Sequence, residues 1–150
     1  MKLIRGFTLI ELLVVLGILL ASSFILIPIA INQIQGSQTF SEIKILYSNI
    51  FTQQQNSFSG LKNSSYGIAF FTNKYELYTG ESLATSTFRE EYYFKNNIAI
   101  TGINLTSGTE ITFPKGSVKP NEYGQINLSD GLETYQISIN KEGLIEYAKL

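Results

Sequence analysis

Arg5-Gly6-Phe7-Thr8-Leu9-Ile10-Glu11-Leu12-Leu13-Val14-Val15-Leu16 opens an apolar run that continues to Ile31, and what covers that run decides the fold. From Leu12 to Ile31 only Gly17, Ser22, Ser23 and Pro28 interrupt it, and no charged residue stands between Glu11 and Glu42. At a rise of about 1.5 Å per residue, such a helix reaches about 30 Å, the thickness of a bilayer's hydrocarbon core, so a single membrane-spanning helix is expected. Lys2 and Arg5 precede it. A positive flank stays on the cytoplasmic side, which sends the C-terminal part of the chain outside.

Glu11 does not suit a plain anchor, because Phe7, Leu9 and Ile10 precede it and Leu12, Leu13 and Val14 follow. A charge at mid-membrane costs about 2.5–3.5 kcal/mol on insertion scales, less near an end, and normally has a partner or a task. It can also snorkel to the cytoplasmic interface, as in an uncut single-span anchor. An ordinary secretory signal cut near Ala21-Ser22-Ser23 is a further alternative, disfavoured by Glu11 inside the apolar core and by apolar sequence beyond the cut.

A short basic leader ending in Gly6, then Phe7, then Glu11 and a long apolar helix, resembles the class III signal of type IV pilins and pseudopilins. The resemblance implies that a prepilin peptidase cuts between Gly6 and Phe7 and methylates the new amine of Phe7. Glu11 then stands fifth in the mature chain, and Pro28 falls where many members of the family carry a helix-bending proline. In stacked subunits the amine of one chain neutralises Glu11 of a neighbour within the apolar core, and a buried charge is tolerable when paired and hydrogen-bonded. A charge pair of this kind also fixes register, as polar residues do in buried helix seams. Gly6 leaves the backbone open to a protease. Pro28 removes one intrahelical bond and is expected to loosen the helix around Phe24 and Ile25.

Composition bounds the remainder. The chain has 150 residues, 44% of them apolar, with ten Phe and nine Tyr, enough for an anchor and one modestly cored domain. Eleven basic residues oppose twelve acidic ones, and losing Lys2 and Arg5 leaves a mildly acidic ectodomain. Such a domain is a poor nonspecific partner for nucleic acid. Cysteine and histidine are absent, which removes the thiol nucleophile, the commonest general base and the usual zinc ligands, and leaves no disulfide. No enzymatic role, no cofactor and no metal is expected; Glu90-Glu91 reads as a solvated loop pair.

Past Pro28 the helical pattern continues through Ile31, Ile34, Phe40, Ile43, Leu46, Tyr47, Ile50 and Phe51, with polar residues between them. Gly36-Ser37 is a weak point, and the stripe fades at Gln55-Asn56. The expected organisation is therefore a leader over 1–6, a helix over 7–56 whose 7–31 part is the membrane span or filament core, and a β-rich ectodomain over 57–150. Short strand-like runs follow at Tyr66 to Phe71, Tyr75 to Tyr78, Tyr92 to Phe94, Ile98 to Thr101, Glu110 to Phe113, Gln125 to Leu128, Thr134 to Asn140 and Leu144 to Lys149. Thr72-Asn73-Lys74 suits a hairpin turn. Tyr135, Ile137 and Ile139 alternate with polar residues, and turn residues at Ser129-Asp130-Gly131 and Asn140 to Gly143 flank them, so the last three runs form an antiparallel meander. The remaining runs add a second small sheet. The fold class is α+β: a long N-terminal helix, half membrane-spanning and half amphipathic, on a small antiparallel domain, as in pilins.

The C-terminal order is similar to that of H-type minor pseudopilins and the ComGD-type competence minor pseudopilin, through Phe113-Pro114-Lys115-Gly116 and a hairpin ending at Gly143. Some relatives carry DNA-contacting arginines after that glycine; here Leu144-Ile145-Glu146-Tyr147 stands instead, so direct DNA binding is not expected. The resemblance implies a filament subunit serving DNA uptake or type II secretion, inserted in the cytoplasmic membrane with its N-terminus inside and later part of a surface or envelope filament. Its partners are prepilin peptidase and other pilin or pseudopilin subunits, met through the N-terminal helix. The alternative is a single-span, membrane-anchored binding module with no assembly role.

Overall fold

The computed structural model describes residues 8–95 and 97–150, and the side chains of residues 23–37 lie outside that description. Helix α1 spans Leu9–Phe58, and a short 3-10 turn follows at Leu61–Asn63. Eight strands come next: β1 Tyr66–Phe70, β2 Lys74–Thr79, β3 Phe88–Tyr93, β4 Ala99–Leu105, β5 Glu110–Phe113, β6 Gly124–Ser129, β7 Thr134–Ile139 and β8 Ile145–Lys149. The chain divides into two units, one ending at Gln35 and one spanning Gly36–Leu150, and all the strands belong to the second.

That second unit is α+β, with the C-terminal half of α1 on two antiparallel four-stranded sheets ordered β3-β2-β1-β5 and β4-β6-β7-β8. The expected meander is present as β6-β7-β8, with Ile126 opposite Ile137 and Ile137 opposite Tyr147. It has a fourth member that the run lengths do not reveal. β4 continues beyond Thr101 and pairs with β6 from Ala99↔Ser129 to Leu105↔Gly124, so this run joins the C-terminal sheet. Thr72-Asn73 turns the β1–β2 hairpin as expected, with Phe71 N–H donating to Lys74 O at 2.9 Å.

One core lies beneath both sheets. α1 contributes Ile43, Leu46 and Ile50, all fully buried, against Ile68, Phe70, Ile111 and Phe113 of one sheet and Ile126, Leu128, Ile137 and Ile139 of the other. The three- and four-residue spacing of the helix positions puts them on one face, and each contributes about 1.5–3 kcal/mol on burial. The stripe is wider than that face. Phe51 is 45% exposed, while Phe40 and Tyr47 sit at the flank against Tyr147, with ring centroids 6.1 and 5.3 Å away.

α1 runs two residues further than its apolar pattern, through Ser57 and Phe58. The buried Ser57 side chain donates to Phe113 O at 2.5 Å and accepts from Tyr66 N–H at 2.9 Å, and its carbonyl accepts from Gly116 N–H at 2.7 Å. The last of these satisfies a carbonyl that the C-terminal end of a helix otherwise leaves to water. Gln54 donates in the same way to Val118 O at 2.8 Å and Gly143 O at 2.6 Å. Gly143 holds φ +87, and a Cβ there would stand 2.1 Å from Val118 O and 2.8 Å from Gln54 Nε2, so only glycine lets the hairpin approach the helix. The two turns noted in the C-terminal sequence, at Pro114 to Gly116 and at Gly143, are thus where the sheets meet the end of α1.

β1 is buried along its whole length between β2 and β5, and the β2–β3 loop is bonded to β5: Leu83 N–H donates to Glu110 Oε2 at 3.0 Å and Thr112 Oγ1 to Glu81 O at 3.3 Å. Gly67 lies between Tyr78 and Thr112 in the sheet, and Tyr78 reaches across it to bond Thr112 Oγ1 at 2.7 Å. A Cβ on Gly67 would come within 2.2 Å of that ring.

Candidate functional site

The N-terminal part of α1 begins on Thr8, whose Oγ1 accepts from Glu11 N–H at 3.3 Å and whose carbonyl accepts from Leu12 N–H at 3.2 Å. Thr8-Leu9-Ile10-Glu11 is therefore an N-terminal capping sequence, with the acidic residue in the first turn, where the helix dipole favours negative charge. The Thr-x-x-Glu spacing is the sequence signature of such a cap. The capping side chain is that of Thr8, and Glu11 lies in the first turn that it caps.

From Leu9 to Leu20 every large apolar side chain of this helix is exposed, from 46% at Val15 to 77% at Leu9. A helix whose described large apolar side chains are exposed all round suits lipid or the core of a larger assembly. Ser22 returns its hydroxyl to Ile18 O at 2.7 Å, so the first polar side chain of the run places no unsatisfied donor on the surface. Lys2, Arg5, Gly6 and Phe7 lie outside the described residues, as does the side chain of Pro28; the helix itself continues through position 28 and through Gly36-Ser37. Among the described residues no helix is long and apolar enough to cross a membrane; the expected span runs to Ile31, and the described side chains of this segment stop at Ser22.

In the second unit the helix is tied near its start by Thr39, which is buried and donates to Asp130 Oδ2 at 2.5 Å. The other oxygen of Asp130 accepts from Leu132 and Glu133 N–H at 2.8 Å each. Burial works against this carboxylate, but the bonds from Glu133, Thr39 and Leu132 outweigh it and hold its pKa below the ordinary value. Asn49 donates to the hydroxyl of Tyr75 at 2.7 Å, and burial pushes that phenol up to about 12. Thr39, Asn49, Gln54 and Ser57 form a polar row that clasps α1 to both sheets, and the apolar stripe alone does not announce it.

Glu90-Glu91, expected in a solvated loop, instead lies in edge strand β3. Glu91 accepts from Tyr93 at 2.6 Å and from Lys74 at 2.9 Å, and these two bonds hold its carboxyl below the usual range. Among the described residues no group of three or more His, Cys, Asp or Glu could hold a metal.

Residues 1–27 match the family described as the prokaryotic N-terminal methylation motif. The chain thus carries a class III prepilin signal, the mark of the type IV pilin and pseudopilin family. Such a signal implies processing by prepilin peptidase, anchoring in a membrane and assembly with other pilin subunits into a pilus-like filament, and it points to a structural subunit rather than an enzyme. No curated protein and no solved structure matches the chain.

Proposed function

We propose that the chain is a minor subunit of a type IV pilus or pseudopilus, serving DNA uptake or type II secretion. Lys2 and Arg5 hold the leader inside, peptidase cuts between Gly6 and Phe7, and Phe7 is methylated. Glu11 receives the amine of a neighbouring subunit, and Pro28 adjusts the helix as it moves from lipid to filament. The helix over residues 7–31 becomes filament core, and the β-rich part faces outward. The observation that carries this is the coincidence of the methylation motif over residues 1–27 with a helix whose described large apolar side chains are exposed all round. The cysteine-free ectodomain and the two turns that dock on α1 support a minor subunit. Leu144 to Tyr147 offers no basic side chain after the last glycine, which argues against direct DNA contact.

Glu11→Ala tests this against the anchored binding module. A filament subunit stays in the membrane fraction, keeps its ectodomain folded, and disappears from sheared filaments. An anchor loses nothing, or inserts better for want of a charge, and equal recovery of variant and parent in sheared filaments would exclude the pairing role of Glu11. Because Glu11 also stands in the first helical turn, Glu11→Gln is the companion variant. It keeps the capping geometry and removes the charge, so it should assemble as poorly as Glu11→Ala.

A further inference from the structure

A groove of about 310 Å³ runs between the last turns of α1 and strands β2 and β3. One wall is a row of amides on the helix, Asn49, Gln53 and Asn56, at positions three and four apart and therefore on one face. Its floor on the edge strand is Phe88, Glu90 and Tyr92, which alternate along β3 and so point to the same side of the sheet. The floor is stiff: Tyr92 stacks on Tyr75 with ring centroids 5.1 Å apart and planes 3° from parallel, and Asn49 holds the Tyr75 hydroxyl. Phe88, by contrast, is 59% exposed, an uncovered aromatic face at one end of the groove.

The groove wall also contains a buried defect. Gln53 is 7% exposed, and among the described residues its Oε1 is the buried side-chain oxygen or nitrogen with no hydrogen-bond partner. Such a group costs about 1–3 kcal/mol. A half-turn of the amide exchanges its acceptor for its donor, so whichever end faces the groove, a hydroxyl group, which both donates and accepts, can pair with it.

These features select a chemistry. Three amides and one carboxylate beside two aromatic rings suit a ligand with many hydroxyls and an apolar ring face. Lys62 and Glu90 place one charge of each sign on the lining, so neither anions nor cations are favoured. The free backbone edge of β3 lies in the plane of the sheet, whereas the groove opens on its side-chain face, so it offers an extended peptide no ladder to join. We propose that this groove binds a neutral saccharide of one or two rings, lying on Phe88 and Tyr92 and hydrogen-bonded by Asn49, Gln53, Asn56 and Glu90. The site is independent of how the N-terminal helix assembles.

The test uses the full chain in phosphocholine detergent, titrated with glucose, galactose, N-acetylglucosamine and lactose and followed by saturation-transfer NMR and calorimetry. At least one of these sugars should bind, with magnetisation reaching it from aromatic protons. Asn56→Ala and Phe88→Ala should each weaken binding about tenfold, a loss of about 1.4 kcal/mol, while the thermal midpoint stays at that of the parent. Absence of binding by all four sugars overturns the proposal, as does binding that both variants leave unchanged. Capture of an Asn- and Ser-rich peptide in place of every sugar overturns it in favour of a peptide site.

Discussion

The two halves of α1 use similar residues in opposite ways. Between Leu9 and Leu20 leucine, isoleucine and valine occupy every face and all remain exposed; between Thr39 and Ser57 one face, Ile43, Leu46 and Ile50, is sealed beneath two sheets, while Ile45 and Phe51 off that face stay about half exposed. The first half leaves its described apolar side chains uncovered, and the second seals its own beneath the sheets of its own unit. The polar side chains differ in the same sense. Among the described residues the side chains of Thr8 and Ser22 bond within their own turns, whereas those of Thr39, Asn49, Gln54 and Ser57 reach across to the sheets. An apolar residue is therefore no guide to what it stabilises until its surroundings are known; a helix can be equally apolar for assembly and for folding.

Truncating the sealed half should have the largest effect on folding. Leu46→Ala removes a fully buried side chain from the centre of the core and should lower the unfolding free energy of the ectodomain by about 2–5 kcal/mol, measured by denaturant titration, with recovery of membrane-inserted precursor tracking that loss. Leu20→Lys should do the reverse. A charge within the run should cost about 2.5–3.5 kcal/mol of insertion, read as chain lost from the membrane fraction, while the ectodomain melts as the parent does. If Leu20→Lys instead lowered the melting temperature of the ectodomain, the first half of α1 would have partners in its own chain, and the contrast between the halves would fail.

A smaller effect is expected at Thr39. Thr39→Val deletes the hydroxyl that donates to Asp130 and should destabilise the ectodomain by about 1 kcal/mol, within the usual range for one hydrogen bond. The pH dependence has a definite sign. Asp130 binds its proton less readily in the folded protein than in the unfolded chain, so its contribution is complete above the ordinary carboxyl value of 3.8 and is lost as pH falls through the lower folded value. Denaturant midpoints of parent and Asp130→Asn should therefore differ most at neutral pH and converge in acid; a constant difference would mean that Asp130 acts through shape alone.

Much of this architecture is legible before any coordinates. Period-2 alternation at Tyr135, Ile137 and Ile139 places β7, and turn residues at Ser129 to Gly131 and Asn140 to Gly143 place its neighbours, because a half-buried strand and a tight turn are local properties. The addition of β4 to that sheet is not local. It depends on pairing Leu105 with Gly124 across an intervening strand that belongs to the other sheet, and no periodicity records it. The end of α1 is hidden for a related reason: Asn56-Ser57 has loop chemistry, and the bonds of Ser57 to Phe113, Tyr66 and Gly116 are tertiary. A signal was nevertheless present, since positions 43, 46, 50, 54 and 57 continue one helical face with polar residues at its last two places. The assembly segment is the most legible part, because a peptidase signal is read along the chain and needs no fold.

The most direct measurement is the intact mass, with the mass of the N-terminal peptide, of the protein taken from its native membrane. A mature chain beginning at methylated Phe7 is the predicted result. A chain beginning at Met1, or at Ser22 or Ser23, would contradict the filament subunit and leave Glu11 as an odd carboxylate in an ordinary anchor or signal.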